Sequence, residues 1–471
     1  MNDTHRGKDL PWLLWLCASR ASFTIIFTAY SAVMPLITPE WGLSASQAGL
    51  IQSSWHFGYL FSLFTIGFLA DRYGARRVFL ASSIAASITA MIFALFAHDF
   101  YSAAILYGLT GLFSGGSYTP GLTLISERFH SSSRGRSMGF YLAAASAGYA
   151  ISLIMTGAAA PFIGWRGALI LNAAGPVLGA LLAIYALRHT PNVIHPATED
   201  QPANPIPVVL KNKPAMLVTW AYSFHSWELL GLKAWLPAFF AASAALSGNT
   251  LLQAASLGAG LTAITYITSM GGSIAGGWLS DRYGRTATIL IMSISSLSLC
   301  FALGWMVQLP LWLLVIIASI HSFLAIGDSS VYSTAVTELV PPRYLGATYS
   351  VRSVIGFSAG AFSPWVFGLV LDATRAAHPD AEVLAWGLAW CSLGRRCTVR
   401  SSGDMAPAPD AGKPAAGQWQ TLKPCPAKLR PPRRYPREIH ENHQTRNPHP
   451  ARAGRRPASV LGQQLHRAQG Q

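Results

Sequence analysis

Charged residues are scarce in this sequence. Asp, Glu, Lys and Arg make up 11% of the 471 residues, whereas hydrophobic residues make up 51% and the mean hydropathy is +0.35. A typical soluble chain is about 25% charged. The shortage of charge argues against a soluble fold and predicts a protein that crosses a membrane several times.

The sequence also lacks the patterns of metal sites and of several common enzymes. Its five cysteines show neither CxxC nor zinc-ligand spacing and indicate no disulfide framework: Cys17, Cys300, Cys391, Cys397 and Cys425. A nucleotide-binding glycine loop and an HExxH motif are absent as well. We therefore expect no enzymatic activity, no cofactor and no metal site.

Long apolar runs fill most of the chain. A helix needs about 20 apolar residues to cross the ~30 Å hydrocarbon core of a bilayer. Eleven runs reach this length: 11–37, 47–70, 78–97, 101–125, 137–160, 165–187, 214–240, 253–280, 287–307, 311–336 and 346–371. Because the runs are continuous rather than alternating, they favour an all-α membrane protein over a β-barrel.

A proline-rich stretch separates six of these spans from the other five, and its composition is typical of an extended linker. The expected organisation is therefore a first half of six helices at 1–187, a linker at 188–213, a second half at 214–393 and a tail at 394–471.

The twelfth span is incomplete. An apolar run starts at Val383 but meets Gly394 after eleven residues, which in a helix reach about 16 Å, or half of the core. Residues 394–471 contain 15 basic residues and 11 prolines and are predicted to be disordered.

Two interpretations of this tail compete. It is either an evolved basic tail that binds anionic lipid or nucleic acid, or an out-of-frame translation that replaces the end of the last helix. The composition changes inside a span rather than at its boundary, so we favour the second interpretation and expect no nucleic-acid partner.

Basic residues predict the orientation. With the N-terminus in the cytoplasm, fourteen basic residues outside the spans face the cytoplasm and two, Arg166 and Arg375, face the other side. The positive-inside rule therefore predicts a cytoplasmic N-terminus. We expect an integral, monomeric protein of a bacterial plasma (inner) membrane.

A charged motif occurs twice at matching places. Residues 67–77 read GFLADRYGARR and residues 277–285 read GWLSDRYGR, so that Asp71 and Asp281 lie 210 positions apart. Further along, Glu127 and Glu338 each end an apolar run and lie 211 positions apart. A repeat at this spacing indicates two similar halves joined by the linker, which is a known transporter architecture.

On these features the chain resembles the major facilitator superfamily of transporters over residues 11–393. The resemblance implies two pseudo-symmetric six-helix bundles, here with eleven full helices and a truncated twelfth. It also implies a cytoplasmic gate formed by the two motif copies, at Gly67, Asp71, Arg72, Gly74, Arg76, Arg77, Gly277, Asp281, Arg282, Gly284 and Arg285.

In that gate Gly67 would allow close helix approach, and Gly74 would permit a tight reversal. The resemblance implies that Asp71 meets the N-terminus of span 11 near Gly346, where a helix dipole favours negative charge. The alternative is that these charges only anchor the topology, which leaves Asp71 and the glycines unexplained. There are two departures from the family pattern. Tyr107 stands where many proton-coupled relatives carry arginine, which weakens inference about proton coupling, and span 5 lacks a GxxxGP pattern, which argues against a drug exporter.

Ionisable residues inside the spans are candidates for substrate or proton binding, because a charge near the middle of a membrane costs about 2.5–3.5 kcal/mol. By the resemblance, spans 1, 4, 7 and 10 line the central cavity. The candidates are Arg20, Tyr107, His225, Glu228, His321, Asp328 and Arg352. Lys233 is expected to extend its ammonium to the membrane surface instead.

These residues favour secondary transport of a small organic or inorganic anion by alternating access, with Arg20 binding the anion and Glu228 or Asp328 carrying a proton. Three alternatives stay open. The ionisable residues could simply pair to hold the halves together, the protein could be a membrane sensor on a transporter fold, or it could be an inactive truncated product.

Overall fold

The computed structural model describes residues 6–194, 205–341 and 344–394, and all of them belong to one compact unit. The predicted tail beyond residue 394 and the predicted cytoplasmic Arg343 lie outside the described residues. The described chain is an all-α membrane protein, as the apolar runs predict.

Fourteen α-helices form the described part of the chain. In order they are α1 Arg6–Glu40, α2 Ala45–Tyr73, α3 Ala75–Phe96, α4 Phe100–Ser114, α5 Thr119–Arg128, α6 Ser131–Leu187, α7 Ile206–Lys211, α8 Lys213–Leu246, α9 Leu251–Tyr283, α10 Arg285–Leu303, α11 Leu311–Gly327, α12 Ser329–Leu339, α13 Leu345–Ala377 and α14 Glu382–Gly394. We refer to α1–α6 as the first half and to α8–α14 as the second half.

Eight helical segments in the described residues are long and apolar enough to cross a membrane. One of them, Arg136–Leu187, contains two of the eleven predicted spans. Only a single non-helical residue, Gly164 with φ 69°, separates these two spans, so they form one nearly continuous helix. Predicted span 4 is instead divided into α4 and α5 by a 3-10 turn at Gly115–Ser117. The apolar run that starts at Val383 forms α14, whose described residues end at Gly394.

Sequence repeats are matched by structural repeats. α2 and α9 both begin with a capping box, formed by Ser44 with Gln47 and by Thr250 with Gln253. Both helices end at a glycine with positive φ, Gly74 at 87° and Gly284 at 89°. Glycine adopts this conformation readily, so each motif copy can reverse the chain directly into the next helix.

The two halves pack against each other through α2 with α13 and through α6 with α9. We call the end of the bundle that carries Asp71 and Asp281 the motif end. We call the opposite end, which carries Ala45 and Asp372, the far end.

Candidate functional site: buried cations between the two halves

Arg20 of α1 is buried in the first half. It is 6% exposed, and its Nη1 donates to the hydroxyl of Ser117, in the 3-10 turn that interrupts span 4. The guanidinium lies 5.7 Å from the ring centres of both Tyr118 and Tyr141. Its Nε has no hydrogen-bond partner, and no described carboxylate pairs with it. The 3-10 turn in span 4 thus brings polar groups close to the buried guanidinium of Arg20, whose charge has no carboxylate partner among the described residues.

Arg352 of α13 is the corresponding cation of the second half. It is 7% exposed, donates from Nη1 to Ser333 at 3.1 Å, and lies 4.4 Å from the ring centre of Tyr222 and 5.0 Å from that of Tyr349. Its Nε likewise lacks a partner among the described residues. Arg352 is thus buried inside the second half.

Lys233 of α8 lies between the halves, contrary to the expectation that it reaches the membrane surface. Its ammonium lies 4.9 Å from the ring centre of Tyr149, 5.9 Å from that of Phe27 and 5.7 Å from that of Tyr266. These rings come from α1, α6 and α9, so they surround the ammonium from both halves. No described carboxylate pairs with it. The sequence carries no signal that rings from three other helices surround this lysine.

Tyrosines connect the three cations. Tyr149 and Tyr59 lie close enough to Arg20 to interact with its charge, and Tyr149 also contacts Lys233. Tyr118 interacts with both Arg20 and Arg352. We call Arg20, Lys233 and Arg352 the central cations. Together the central cations make the space between the halves positive, and the tyrosines line it with hydroxyl groups.

Acidic side chains are held apart from the central cations, in two buried pairs between span 7 and span 10. His225 and Glu228 share one face of α8, as their spacing predicts. His321 Nε2 lies 2.9 Å from Glu228 Oε1, and His225 Nδ1 lies 2.9 Å from Asp328 Oδ1. The spacing of His225 and Glu228 places them on one helix face, but the sequence does not show which histidine meets which carboxylate.

The two pairs differ in their other partners. Glu228 Oε1 also accepts from Ser296 Oγ at 2.5 Å. Asp328 Oδ2 accepts from Ser293 Oγ at 2.9 Å, while its Oδ1 is close to His225 but not aligned for a hydrogen bond. Both carboxylates are therefore contacted by histidine and serine rather than by arginine or lysine, which suits groups that exchange a proton.

Glu228, Cys300 and His321 place one donor atom each within 4.8 Å of one another, which is close enough to hold a metal ion. Glu228 and His321 already bond to each other, and the thiol of Cys300 lies 3.5 Å from the carbonyl oxygen of Trp390. A metal would have to replace these bonds, so the donor set fits a protonatable pair better.

Tyr107 does not belong to this site. Its side chain is fully buried in the first half, its hydroxyl donates to the carbonyl of Phe27 at 2.8 Å, and its ring stacks on Phe93 at 4.7 Å. The expectation that Tyr107 lines the cavity is corrected: the hydroxyl is used to join α4 to α1.

The first copy of the charged motif is open in this structure. Asp71 is exposed and has no partner among the described residues, so the expected contact with the N-terminus of span 11 is not made. A Cβ built on Gly67 would meet nothing within 4 Å, and the same holds for Gly346 and Gly277. The prediction of close helix approach at Gly67 is therefore wrong for this conformation. The reason is that α2 and α13 meet at the far end and leave the motif end apart.

The remaining charges of the motif stay within their own half. Arg76 donates to the carbonyl of Leu187 at 2.8 Å, the amide of Arg77 donates to Asn192, and Arg72 lies over the ring of Tyr73. In the second copy Arg285 bonds to Asp281 at 2.5 Å and to Glu338 at 3.0 Å, and Arg282 lies over Trp278. Both copies thus brace the ends of neighbouring helices.

Comparison with known proteins adds the family. The model of the Major Facilitator Superfamily matches residues 16–364. The hexuronate transporter of Bacillus subtilis (strain 168) is 26% identical over 428 residues, which are 87% of this chain and 97% of that protein. The probable L-galactonate transporter of Escherichia coli (strain K12) is 24% identical over 372 residues, 72% of this chain and 78% of that protein. The membrane sensor protein UhpC of the same organism is 24% identical over 383 residues, 76% of this chain and 85% of that protein.

Solved structures show the same fold. The nucleoside transporter NupG superposes with a TM-score of 0.68 at 16% identity, covering 82% of this chain and 96% of that chain. A bacterial homologue of the human lysosomal transporter Spinster, in an inward-facing and unoccupied conformation, superposes with a TM-score of 0.63 at 17% identity, covering 84% and 94%.

Proposed function

Because the chain belongs to the Major Facilitator Superfamily and is a transporter rather than an enzyme, we propose that it carries a small organic anion across the membrane by alternating access. The central cations Arg20, Lys233 and Arg352 bind the anion. Residues 1–187 and 214–393 act as two moving halves joined by the linker at 188–213.

The observation that carries this proposal is the burial of two arginines without a carboxylate. Burying an unpaired charge is expensive, and breaking a buried pair costs about 3–5 kcal/mol. Two other arginines show what is missing: Arg128 pairs with Asp9 at 2.8 Å and Arg375 with Glu382 at 2.9 Å. An anionic substrate would supply the partner that Arg20 and Arg352 lack.

The relatives support an organic anion over an inorganic one. Hexuronate and L-galactonate are both sugar acids, with one carboxylate and several hydroxyls. The central site offers guanidinium groups for a carboxylate and tyrosine hydroxyls for sugar hydroxyls. Guanidinium groups bind carboxylates well because their N–H donors match both oxygens.

Proton coupling is the second part of the proposal. The Glu228–His321 and His225–Asp328 pairs join α8 to span 10 and are separate from the central cations. A carboxylate paired with histidine can take up a proton without leaving a strong cation unpaired. Protons moving with the anion would then be accepted at these pairs.

We propose the plasma membrane as the location, with a cytoplasmic N-terminus and the motif end facing the cytoplasm. The fourteen-to-two distribution of basic residues supports this orientation. The protein acts as a monomer, because both halves needed for alternating access, and the interface between them, belong to one chain.

A sensor is the second candidate, because one relative is a membrane sensor protein.

An uptake experiment distinguishes a transporter from a sensor. The full chain in proteoliposomes is given labelled glucuronate, galactonate, sulfate or glucose, at two external pH values. We expect uptake of the sugar acids and none of glucose. Binding of the sugar acids without uptake would favour the sensor, and absence of both would contradict the anion proposal.

A further inference from the structure

The carboxylate of Asp372, near the end of α13, joins the two halves at the far end. Its Oδ1 accepts the backbone N–H of Ala45 at 2.8 Å, and its Oδ2 accepts that of Ser46 at 2.8 Å. These are the first two amides of α2, which belongs to the other half. Asp372 thus places a negative charge on the N-terminus of a helix 327 residues away, where the helix dipole favours it.

This contact is separate from the capping that α2 provides for itself. The hydroxyl of Ser44 accepts the amide N–H of Gln47, and Oε1 of Gln47 accepts the amide N–H of Ser44. Four amides at a helix start lack partners in the helix. Ser44 and Gln47 satisfy two of them through this capping box, and Asp372 satisfies the other two. Without Asp372 those two amides could turn to water, so the helix would persist while the link between the halves would be lost.

The helices approach closely beside this contact. A Cβ on Gly49 would lie 2.2 Å from the carbonyl oxygen of Pro364, and one on Gly368 would lie 2.2 Å from that of Ala45. Gly368 and Asp372 follow Pro364 at intervals of four residues, so all three share one face of α13. This face closes the far end.

At the motif end the same two helices could exchange roles, with the aspartate supplied by α2 and the helix N-terminus by α13. Asp71 stands at the end of α2 and is free among the described residues, and the start of α13 at Leu345 lies on the same end. Each helix therefore carries an aspartate near its last turn and offers its N-terminus to the other. The far-end contact is made in this structure, and the motif-end contact is not.

We propose that Asp372 is a far-end latch: its bond to the N-terminus of α2 stabilises the conformation closed at the far end, and it must release before the far end opens. On the proposed orientation this is the inward-facing state. The latch concerns the conformational equilibrium of the empty protein and needs no particular substrate.

The test measures the opening of the far end directly. Spin labels are placed at exposed positions 98 and 378, one in each half, in the full chain with its five cysteines replaced by alanine. Distances between the labels are measured by electron–electron double resonance without substrate. Asp372→Asn keeps the shape of the side chain but removes its charge. We expect the ratio of long to short distances to rise about tenfold.

Glu382→Gln is the matched control. Glu382 is also a carboxylate at the far end, but its two bonds at 2.9 Å go to Arg375 within the second half. It should leave the distances unchanged. A second variant, Ala45→Pro, removes one donor from the other partner, and proline is well accepted at the first position of a helix. It should shift the distances in the same direction.

An unchanged distance distribution in Asp372→Asn would overturn the latch, and so would equal shifts in Asp372→Asn and Glu382→Gln. If Asp372→Asn does not fold, Ala45→Pro decides alone: unchanged distances would overturn the proposal. Loss of anion uptake has no bearing on these outcomes, so failure of the proposed function and failure of the latch can be told apart.

Discussion

Glu228 of α8 and His321 of α11 lie 2.9 Å apart, and both side chains are buried in the second half. The pair joins span 7 to span 10 within the second half. A proton on this pair would cancel the negative charge of Glu228 and weaken its hold on His321. Proton binding could in this way alter how the two helices pack.

The first prediction concerns this pair. Glu228→Gln cannot lose or gain a proton at that position, so we expect it to abolish accumulation driven by a proton gradient. Exchange of labelled for unlabelled anion should continue, because exchange needs no net proton movement. The measurement compares gradient-driven uptake with exchange in proteoliposomes. Glu382→Gln is the control, and gradient-driven accumulation by Glu228→Gln would refute the assignment.

The second prediction distinguishes a binding lysine from a surface-reaching one. Lys233→Met keeps the length of the side chain and removes its charge. If the ammonium binds the anion, the KM for uptake should rise about tenfold or more, while thermal stability should be kept or improved because a half-buried, unpaired charge is removed. Lys213→Met, at the exposed start of the same helix, should leave KM unchanged. An unchanged KM for Lys233→Met would contradict the assignment of Lys233 to anion binding.

The third prediction concerns the two glycines of the first motif copy. Gly74 has φ 87°, and a Cβ there would meet the side chain of Asn192 at 2.3 Å. We expect Gly74→Ala to destabilise the protein by about 1–3 kcal/mol. Gly67 is helical and open, so Gly67→Ala should be neutral or stabilise by up to about 1 kcal/mol. Thermal unfolding in detergent measures both, and equal losses would show that close packing at Gly67 matters in the resting state.

The fourth prediction concerns α14, which is a core element despite its length. Trp390 is fully buried and packs against Phe239, Phe367 and His321. Trp390→Ala should lower stability by about 3–5 kcal/mol, the usual cost of such a cavity. Trp312→Ala, at a side chain 66% exposed, is the control and should change stability little. A small effect at Trp390 would mean that the truncated helix is dispensable.

Much of the fold could be predicted from the sequence because membrane helices are recognisable by their length and apolar composition. The apolar runs, the double motif and the short twelfth helix all correspond to elements of the structure. Helix boundaries were harder, since Gly164 interrupts α6 without a polar loop, and Gly115–Ser117 breaks span 4 inside an apolar run.

The candidate site could be predicted only in part. Scarcity of charge in the spans singles out Arg20 and Arg352 as candidates, and their role stays a prediction. Tyr107 was misplaced because an apolar helix gives little indication of which face looks towards the cavity. Lys233 was misjudged because distance along a helix does not show that rings from three other helices surround it.

Asp372 was missed for a related reason. It belongs to no motif, and its partners are backbone amides, which have no identity in the sequence. Contacts of this kind depend on how two helices cross, and helix crossing cannot be inferred from hydropathy. The same limit explains why the expected contact of Asp71 could not be assigned to one conformation.

The central claim is that the buried, unpaired arginines bind an anion, and the dissociation constant for glucuronate tests it most directly. It is measured by isothermal titration for the wild type, Arg20→Gln and Arg375→Gln. Losing a hydrogen bond to a charged group costs about 1.5–3 kcal/mol, which weakens binding about 10- to 100-fold. The account predicts this loss for Arg20→Gln and no change for Arg375→Gln. Wild-type affinity in a folded Arg20→Gln protein would contradict it.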